Sequence, residues 1–161
     1  MDLYIAGTRT CSLVNGPGVR FVVFTQGCPH HCEGCQNPLT WEKESGMTVK
    51  TKTLAEVIKR HTKIDGVTLS GGEPFEQQEA CVELLKLLPD HLNIWIYTGY
   101  KYNDIKDTEL AKMADFIVDG KFERDNLVTD WWGGSSNQNL IDIKKGTVTT
   151  YEQRNEQRND H

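Results

Sequence analysis

Three cysteines are the residues whose type and spacing most directly indicate chemistry in this chain of 161 residues. They lie within the stretch CPHHCEGC, at positions Cys28, Cys32 and Cys35. Thiolates held this closely along a chain are typical of metal centres. A cubane iron–sulfur cluster bound by three thiolates leaves one iron open to an organic ligand. The spacing therefore indicates a redox-active metal site with an open coordination position.

Zinc is the alternative metal for the same cysteines. A structural zinc site needs four ligands, usually supplied as two separated pairs of Cys or His, and no second pair follows downstream. Either His30 or His31 would have to complete a Cys3His site. The residues alone are therefore compatible with either an iron–sulfur cluster or a zinc ion.

Composition and charge narrow the classes of function. The chain carries 18 Lys and Arg against 23 Asp and Glu without a long basic block, so we expect no nucleic-acid partner. No apolar stretch reaches the roughly 20 residues that span a bilayer, and the start MDLYIAG lacks the pattern of a signal peptide. We therefore expect a cytoplasmic protein without a membrane partner. In that reducing compartment, five cysteines suit metal ligands or thiols better than a disulfide framework.

Strand and helix patterns alternate along the chain. Apolar runs predict strands at 20–25, 66–70, 93–98, 116–118 and 139–144, and amphipathic patterns predict helices at 53–62, 76–88 and 107–114. This alternation predicts an α/β fold with a mostly parallel sheet and a single domain over residues 1–150. The polar repeat EQRNEQRN has no apolar face, so we expect residues 151–161 to form a disordered tail.

Unusual polar or glycine-rich loops follow three of the predicted strands. Their sequences are GCPHHCEGC, GGEP and DGKF, at 27–35, 71–74 and 119–122. Because the carboxyl ends of parallel strands meet at one edge of a sheet, we expect the three loops to lie together there. This edge is the predicted functional site.

The cysteine pattern, one Cys, three residues, a second Cys, two residues and a third Cys, resembles that of the radical S-adenosylmethionine (SAM) enzymes, as does GGE after the next strand. The resemblance implies a small, incomplete TIM-type barrel and a [4Fe-4S] cluster bound by Cys28, Cys32 and Cys35. It also implies that Gly71, Gly72 and Glu73 contact the methionine amino group of SAM, with the carboxylate pairing with the ammonium. A similar Asp-x-Lys stretch in the glycyl-radical activators implies that Asp119 and Lys121 meet the methionine moiety.

A narrower resemblance covers nearly the whole chain. The stretches VNGPGVRF, GCPHHCEGCQNPLTW, LSGGEP, WIYTGY, VDGKF and GSSNQ are similar, in order and spacing, to those of the activating enzymes of anaerobic ribonucleoside-triphosphate reductases. That family cleaves SAM reductively to a 5′-deoxyadenosyl radical, which generates a glycyl radical on the large catalytic subunit of the reductase. The resemblance therefore implies a protein substrate and a low-potential electron donor such as reduced flavodoxin.

Two other functions remain alternatives on the sequence. One is activation of another glycyl-radical enzyme of the pyruvate formate-lyase type, whose activators usually read DGPG where this chain has Asn15 in NGPG. The other is a zinc-binding interaction module. For a protein substrate, we expect NGPG at 15–18 and WWGGSSNQ at 131–138 to frame the opening of the site, because glycine-rich backbone can pair with an extended peptide.

Overall fold

One eight-stranded sheet organises the computed structural model, which describes residues 1–35 and 38–159. The strands are β1 (Asp2–Ser12), β2 (Arg20–Thr25), β3 (Met47–Lys50), β4 (Gly66–Gly71), β5 (Asn93–Tyr97), β6 (Phe116–Asp119), β7 (Asn139–Asp142) and β8 (Thr147–Thr149). The α-helices of these described residues are α1 (Thr51–Arg60), α2 (Gln78–Lys86), α3 (Tyr102–Ile105), α4 (Glu109–Met113) and α5 (Tyr151–Asn159). The strand order is β3-β1-β2-β4-β5-β6-β7-β8.

The sheet is mixed, with a parallel centre and antiparallel flanks. Strands β2, β4, β5 and β6 are parallel neighbours, so their carboxyl ends share one edge. The pairings of β1 with β2 and β3, of β6 with β7, and of β7 with β8 are antiparallel. Among the described strands, four pairings are thus antiparallel and three parallel, and the prediction of a mostly parallel sheet is wrong. The α/β class itself is confirmed.

The unexpected flanking strands explain this error. Strand β1 buries few apolar residues beyond Leu3 and Ile5, and β3 and β8 are short edge strands with exposed side chains. Such strands lack the apolar run or clear alternation that marks a strand in a sequence. Their hydrogen bonds to a neighbouring strand, which the sequence does not display, define them instead.

The carboxyl-terminal segment is helical over Tyr151–Asn159, where we expected a disordered tail at 151–161. The Tyr151 hydroxyl donates to Asp130 Oδ1 at 3.1 Å, and its ring packs against Trp131 at a centroid distance of 6.0 Å. The Arg154 guanidinium lies 5.7 Å from the Trp131 ring centroid. These contacts hold a helix that lacks an apolar face of its own, and residues 160 and 161 of the expected tail lie outside the described residues.

The hydrophobic core lies between the sheet and helices α1, α2 and α4. Its buried side chains include Phe21, Val23, Val67, Leu69, Ile94, Ile96 and Ile117 from the sheet and Leu54, Ile58, Leu84, Leu85 and Leu110 from the helices. Because side chains alternate across a strand, Phe24 and Tyr97 project from the other face of the sheet. No helix in the described part of the chain is long and apolar enough to cross a bilayer.

Loops cover part of the sheet face opposite the helices. Trp132 packs edge-on against Trp95 of β5, with ring centroids 5.2 Å apart. The loop before β2 is anchored by Arg20, a fully buried side chain that donates to Pro17 O at 2.9 Å and to Thr68 Oγ1 at 2.7 Å. Segments far apart in sequence therefore meet over the centre of the sheet.

Candidate functional site

The loop that carries the three cysteines is closed at its base by backbone hydrogen bonds. It leaves β2 through Gly27, whose φ of 104° turns the chain in a conformation that favours glycine. The Gly27 N–H donates to Thr40 O at 2.6 Å, and the Cys28 N–H donates to Trp41 O at 3.0 Å. The short 3-10 turn at Pro38–Thr40 thus returns the chain to the end of β2, and the cysteines project from a defined loop.

The three loop cysteines are partly exposed and line one cavity. Cys28, Cys32 and Cys35 all border a space of about 510 Å³, together with Gly71 and Gly72. Burial raises the pKa of the Cys28 thiol, and the charge of Glu73 raises it further, against opposing backbone hydrogen bonds. The cavity size falls in the range of small-molecule sites.

The other two cysteines lie elsewhere. Cys11 is exposed on β1, and Cys81 is fully buried in α2, where its thiol lies 3.7 Å from Pro74 O. Burial raises the pKa of Cys81 to about 12. Cys81 thus behaves as a small core residue, as its position on an apolar helix face indicates.

The two glycines after β4 bring that strand end against the cysteine loop. A Cβ atom on Gly71 would lie 2.5 Å from Thr25 N, and one on Gly72 would lie 2.5 Å from Gly27 O. The Gly72 N–H donates to Thr25 O and the Glu73 N–H donates to Gly27 O, both at 2.8 Å. The glycines therefore serve backbone-to-backbone packing of the two loops, in addition to any approach to a ligand.

The Glu73 carboxylate is completely buried and accepts hydrogen bonds from several elements. Its oxygens accept the Phe75 N–H at 3.1 Å, the Gly99 N–H at 2.8 Å and the Thr98 hydroxyl at 2.8 Å. The His30 Nε2 atom lies 2.6 Å from Oε1. The family resemblance implies that this carboxylate pairs with the ammonium of SAM, whereas in the structure it accepts hydrogen bonds inside the protein.

Asp119 and Lys121 line a second cavity. This space of about 800 Å³ adjoins the first, since His30, Gly99 and Gly120 border both. The buried Asp119 carboxylate accepts the Tyr102 N–H at 2.8 Å and the Asn139 N–H at 3.3 Å, and burial raises its pKa despite these bonds. The structure thus brings the cysteines and glycines together and sets the Asp-x-Lys pair beside them.

The described residues of the cysteine loop form no preformed site for a single ion. Among the residues that the structure describes, no three His, Cys, Asp or Glu side chains are close enough to hold one metal ion. A mononuclear zinc site draws sulfurs to about 2.3 Å from one centre, whereas each cysteine of a four-iron cluster binds its own iron. Three thiols around an open cavity fit the donor set of such a cluster.

Both glycine-rich segments that were expected to frame the site contribute to the first cavity. Val14 and Asn15 border it from the NGPG side, and Trp131, Trp132 and Gly133 border it from the WWGG side. Phe24 and Tyr97 supply its wall on the sheet, and burial raises the pKa of Tyr97 to about 12. The lining therefore combines thiols, backbone and aromatic rings.

Thr98 and Gly99 were not assigned a site role from the sequence, and His30 was considered there only as a zinc ligand. Thr98 and Gly99 follow β5, at the same strand-end edge as the predicted loops, and His30 lies between two of the cysteines. Their positions after a buried strand and inside the metal motif are the signals that mark them. Their partner, a buried Glu in a neighbouring loop, is visible only in the fold.

Comparison with known proteins places this site in a class. The family model described as 4Fe-4S single cluster domain matches residues 14–141, a span that includes the cysteine loop, the GGE loop and β6. The matched family is thus one of proteins that bind a single four-iron cluster.

Individual relatives narrow the assignment. A protein of Enterobacteria phage T4 named anaerobic ribonucleoside-triphosphate reductase-activating protein is 41% identical over 137 residues, covering 81% of this chain and 88% of the relative. Proteins of the same name from Escherichia coli K12 and Vibrio cholerae are 34% and 35% identical, covering 78% of this chain and 90% and 89% of their own lengths. The chain therefore belongs to the family of anaerobic ribonucleoside-triphosphate reductase-activating proteins.

Proposed function

We propose that this chain is a radical SAM enzyme that activates an anaerobic ribonucleoside-triphosphate reductase by generating a glycyl radical on its large catalytic subunit. One observation carries the proposal: three cysteines at radical SAM spacing line the same cavity as the GG pair at the neighbouring strand end. Relatives named as activators of that reductase support the choice of partner.

In this proposal, Cys28, Cys32 and Cys35 hold a [4Fe-4S] cluster through three thiolates. The donor set suits it, because the thiols surround an open cavity and leave one coordination position for another ligand. When bound, the cluster supplies the electron that splits the sulfur–carbon bond of SAM into methionine and a 5′-deoxyadenosyl radical. The closed base of the loop sets where the thiolates lie relative to β4.

The methionine end of SAM is assigned to the strand-end edge. Gly71 and Gly72 line the cysteine cavity, so their backbone groups are the ones we assign to the amino group. Asp119 and Lys121 offer a carboxylate and an ammonium from the adjoining cavity. The Glu73 carboxylate is fully buried. Glu73 therefore contributes to SAM binding indirectly, by holding this edge in place.

Protein residues also shield the reaction from water. Aromatic side chains of the first cavity, including Phe24, Tyr97 and Trp131, present apolar surface next to the cysteines. Exclusion of water protects a reactive radical from side reactions.

The parallel strands β2, β4, β5 and β6 with their shared edge support the further proposal that the sheet forms an incomplete TIM-type barrel around this space.

The rim of the cavity suits a protein substrate. Three side chains that line it expose apolar surface: Val14 is 71% exposed, Leu127 55% and Trp132 37%. Exposed apolar groups gathered around a site are typical of protein contacts. We therefore assign this rim to the segment of the large reductase subunit that carries the target glycine.

The electron donor and compartment follow from the same chemistry. A cluster that reduces SAM works at a low potential, in the region of roughly −400 to −700 mV, so the donor we propose is a protein such as reduced flavodoxin. A cytoplasmic location suits both the thiolates and such a donor, because that compartment keeps cysteines reduced.

SAM cleavage in the absence of the reductase tests the first half of the proposal. After anaerobic reconstitution with iron and sulfide, the protein should be brown, and dithionite with SAM should yield 5′-deoxyadenosine and methionine in equal amounts. A colourless protein that binds one zinc and leaves SAM intact would contradict the proposal and favour the zinc-binding interaction module.

A further inference from the structure

The imidazole of His30 is held on several sides although it belongs to the cysteine loop. Its Nε2 atom lies 2.6 Å from Glu73 Oε1, and its side chain is 6% exposed. The ring also packs edge-on against Tyr100, with centroids 4.6 Å apart and planes at 77°. A residue between two cysteines is thus held by the segments that follow β4 and β5.

Gly99 provides the space that this ring occupies. A Cβ atom at position 99 would lie 2.7 Å from His30 Nε2, closer than real Cβ contacts. The Gly99 N–H donates at 2.8 Å to the same Glu73 oxygen that the imidazole contacts. The segment after β5 therefore provides both the space for the His30 ring and a hydrogen bond to Glu73, the residue that the ring contacts.

The Glu73 carboxylate is itself fixed by two strand ends. Phe75 N–H, next to the GGE loop, donates to Oε2 at 3.1 Å, and the Thr98 hydroxyl after β5 lies 2.8 Å from the same oxygen. Since a carboxylate oxygen only accepts hydrogen bonds, we assign a proton to His30 Nε2, which then donates to Oε1. Both the neutral Nε2–H tautomer and the imidazolium carry an N–H that can donate this bond.

We propose that His30 is a positioning residue that holds the cysteine loop against the GGE loop, through its hydrogen bond to Glu73 and its packing against Gly99. It thereby sets the place and environment of the metal cluster without ligating it. The inference rests on the proposed function, because it requires that Cys28, Cys32 and Cys35 hold a cluster. It assigns Glu73 an internal role in place of direct pairing with the ammonium of SAM.

Four variants separate this role from general stability. His30→Ala removes the bond, and His30→Gln keeps an N–H donor at a similar reach. Gly99→Ala displaces the ring but keeps the backbone N–H at position 99 that donates to Glu73. Glu33→Gln is the matched control in the same loop, because the Glu33 contact with Arg124 is a surface ion pair of a side chain that is 79% exposed, and such pairs contribute little.

Each reconstituted variant is then compared by two measurements that do not depend on turnover. One is the rate at which an iron chelator removes iron from the cluster. The other is the electron paramagnetic resonance (EPR) spectrum of the reduced cluster, whose g values report its surroundings. We expect His30→Ala and Gly99→Ala to bind the cluster but to lose iron about tenfold faster, as loss of a hydrogen bond to a charged group would produce. Their g values should shift or broaden.

The rescue variant and the control complete the test. His30→Gln should restore most of the wild-type chelation rate and spectrum, and Glu33→Gln should match wild type. Wild-type g values and chelation rates in His30→Ala would overturn the inference, as would a His30→Gln variant no better than His30→Ala. If the wild-type chain itself takes up no four-iron cluster, the proposed function fails, and this outcome is distinguishable because it precedes any variant.

Discussion

The backbone N–H of Cys28 donates to the carbonyl of Trp41 at 3.0 Å, and this bond closes the loop that contains all three clustered cysteines. The bond lies beside the end of β2, where the Gly27 N–H makes a second one to Thr40 O. These two backbone hydrogen bonds therefore fix the base of the loop from which the cysteine side chains extend.

The cluster ligands are tested by substitution of each cysteine. Cys28→Ser, Cys32→Ser and Cys35→Ser should each abolish the four-iron EPR signal and SAM cleavage, because a three-thiolate site has no spare ligand. Cys11→Ser and Cys81→Ala, on β1 and in the core, should keep iron and sulfide at wild-type levels. Loss of the cluster in Cys11→Ser with retention in Cys32→Ser would show the ligand assignment to be wrong.

Alkylation separates the buried thiol from the exposed one. Burial raises the pKa of Cys81 to about 12. At pH 8 its reactive thiolate is then roughly one part in ten thousand. In the reconstituted protein, iodoacetamide should modify Cys11, and mass spectrometry should find Cys81 modified only after unfolding. Rapid modification of Cys81 in the folded protein would contradict its placement in the core.

Arg20 is predicted to stabilise the loop that precedes β2. Its guanidinium donates to Pro17 O, Thr68 Oγ1 and Asn93 O, and although burial lowers its pKa to about 10, it keeps its charge at pH 7. Arg20→Met leaves these buried acceptors without their donor, so we expect the free energy of unfolding to fall by about 3 kcal/mol.

Urea denaturation of the reconstituted protein measures this loss. Arg9→Met, on the exposed part of β1, is the control and should change the free energy of unfolding by less than about 0.5 kcal/mol. Equal stability of the two variants would mean that the Arg20 bonds add nothing to the fold.

The sequence indicated the central elements of the fold better than its flanks. The run at Arg20–Thr25 gave the strand with its observed bounds, because a strand buried on both faces is apolar throughout. The strand-end placement of the CPHHCEGC, GGEP and DGKF loops also followed from alternation. Strand β3 forms through its pairing with β1, so no local sequence pattern indicated it.

The sequence predicted the residues that line the shared cavity. It did not predict the hydrogen bonds that the site residues make with one another. Cys28, Gly71 and Gly72 share the first cavity, as their strand-end positions indicated. The burial of Glu73 beneath that edge was not predictable, since two of its partners, Thr98 and His30, lie 25 and 43 positions away along the chain. Sequence spacing identifies candidate groups, and tertiary packing decides which of them remain available to a ligand.

SAM affinity tests the assignment of the second cavity. Lys121→Met and Asp119→Asn should each weaken SAM binding to the cluster-containing protein by about tenfold, because a charge-assisted contact to the methionine moiety is lost. Lys112→Met, on the exposed side of α4, should bind SAM normally. Equilibrium dialysis gives the dissociation constants, and unchanged affinity in both site variants would exclude the Asp-x-Lys pair from SAM binding.

Radical transfer to the partner tests the central claim most directly. The reduced, cluster-containing protein is mixed anaerobically with SAM and the large subunit of the anaerobic ribonucleoside-triphosphate reductase from the same source, and the mixture is examined by EPR. The proposed function predicts a glycyl-radical doublet on the large subunit, absent when its C-terminal target glycine is replaced by alanine. No doublet on the reductase, together with one on a pyruvate formate-lyase, would contradict it and identify the chain as the activator of that other glycyl-radical enzyme.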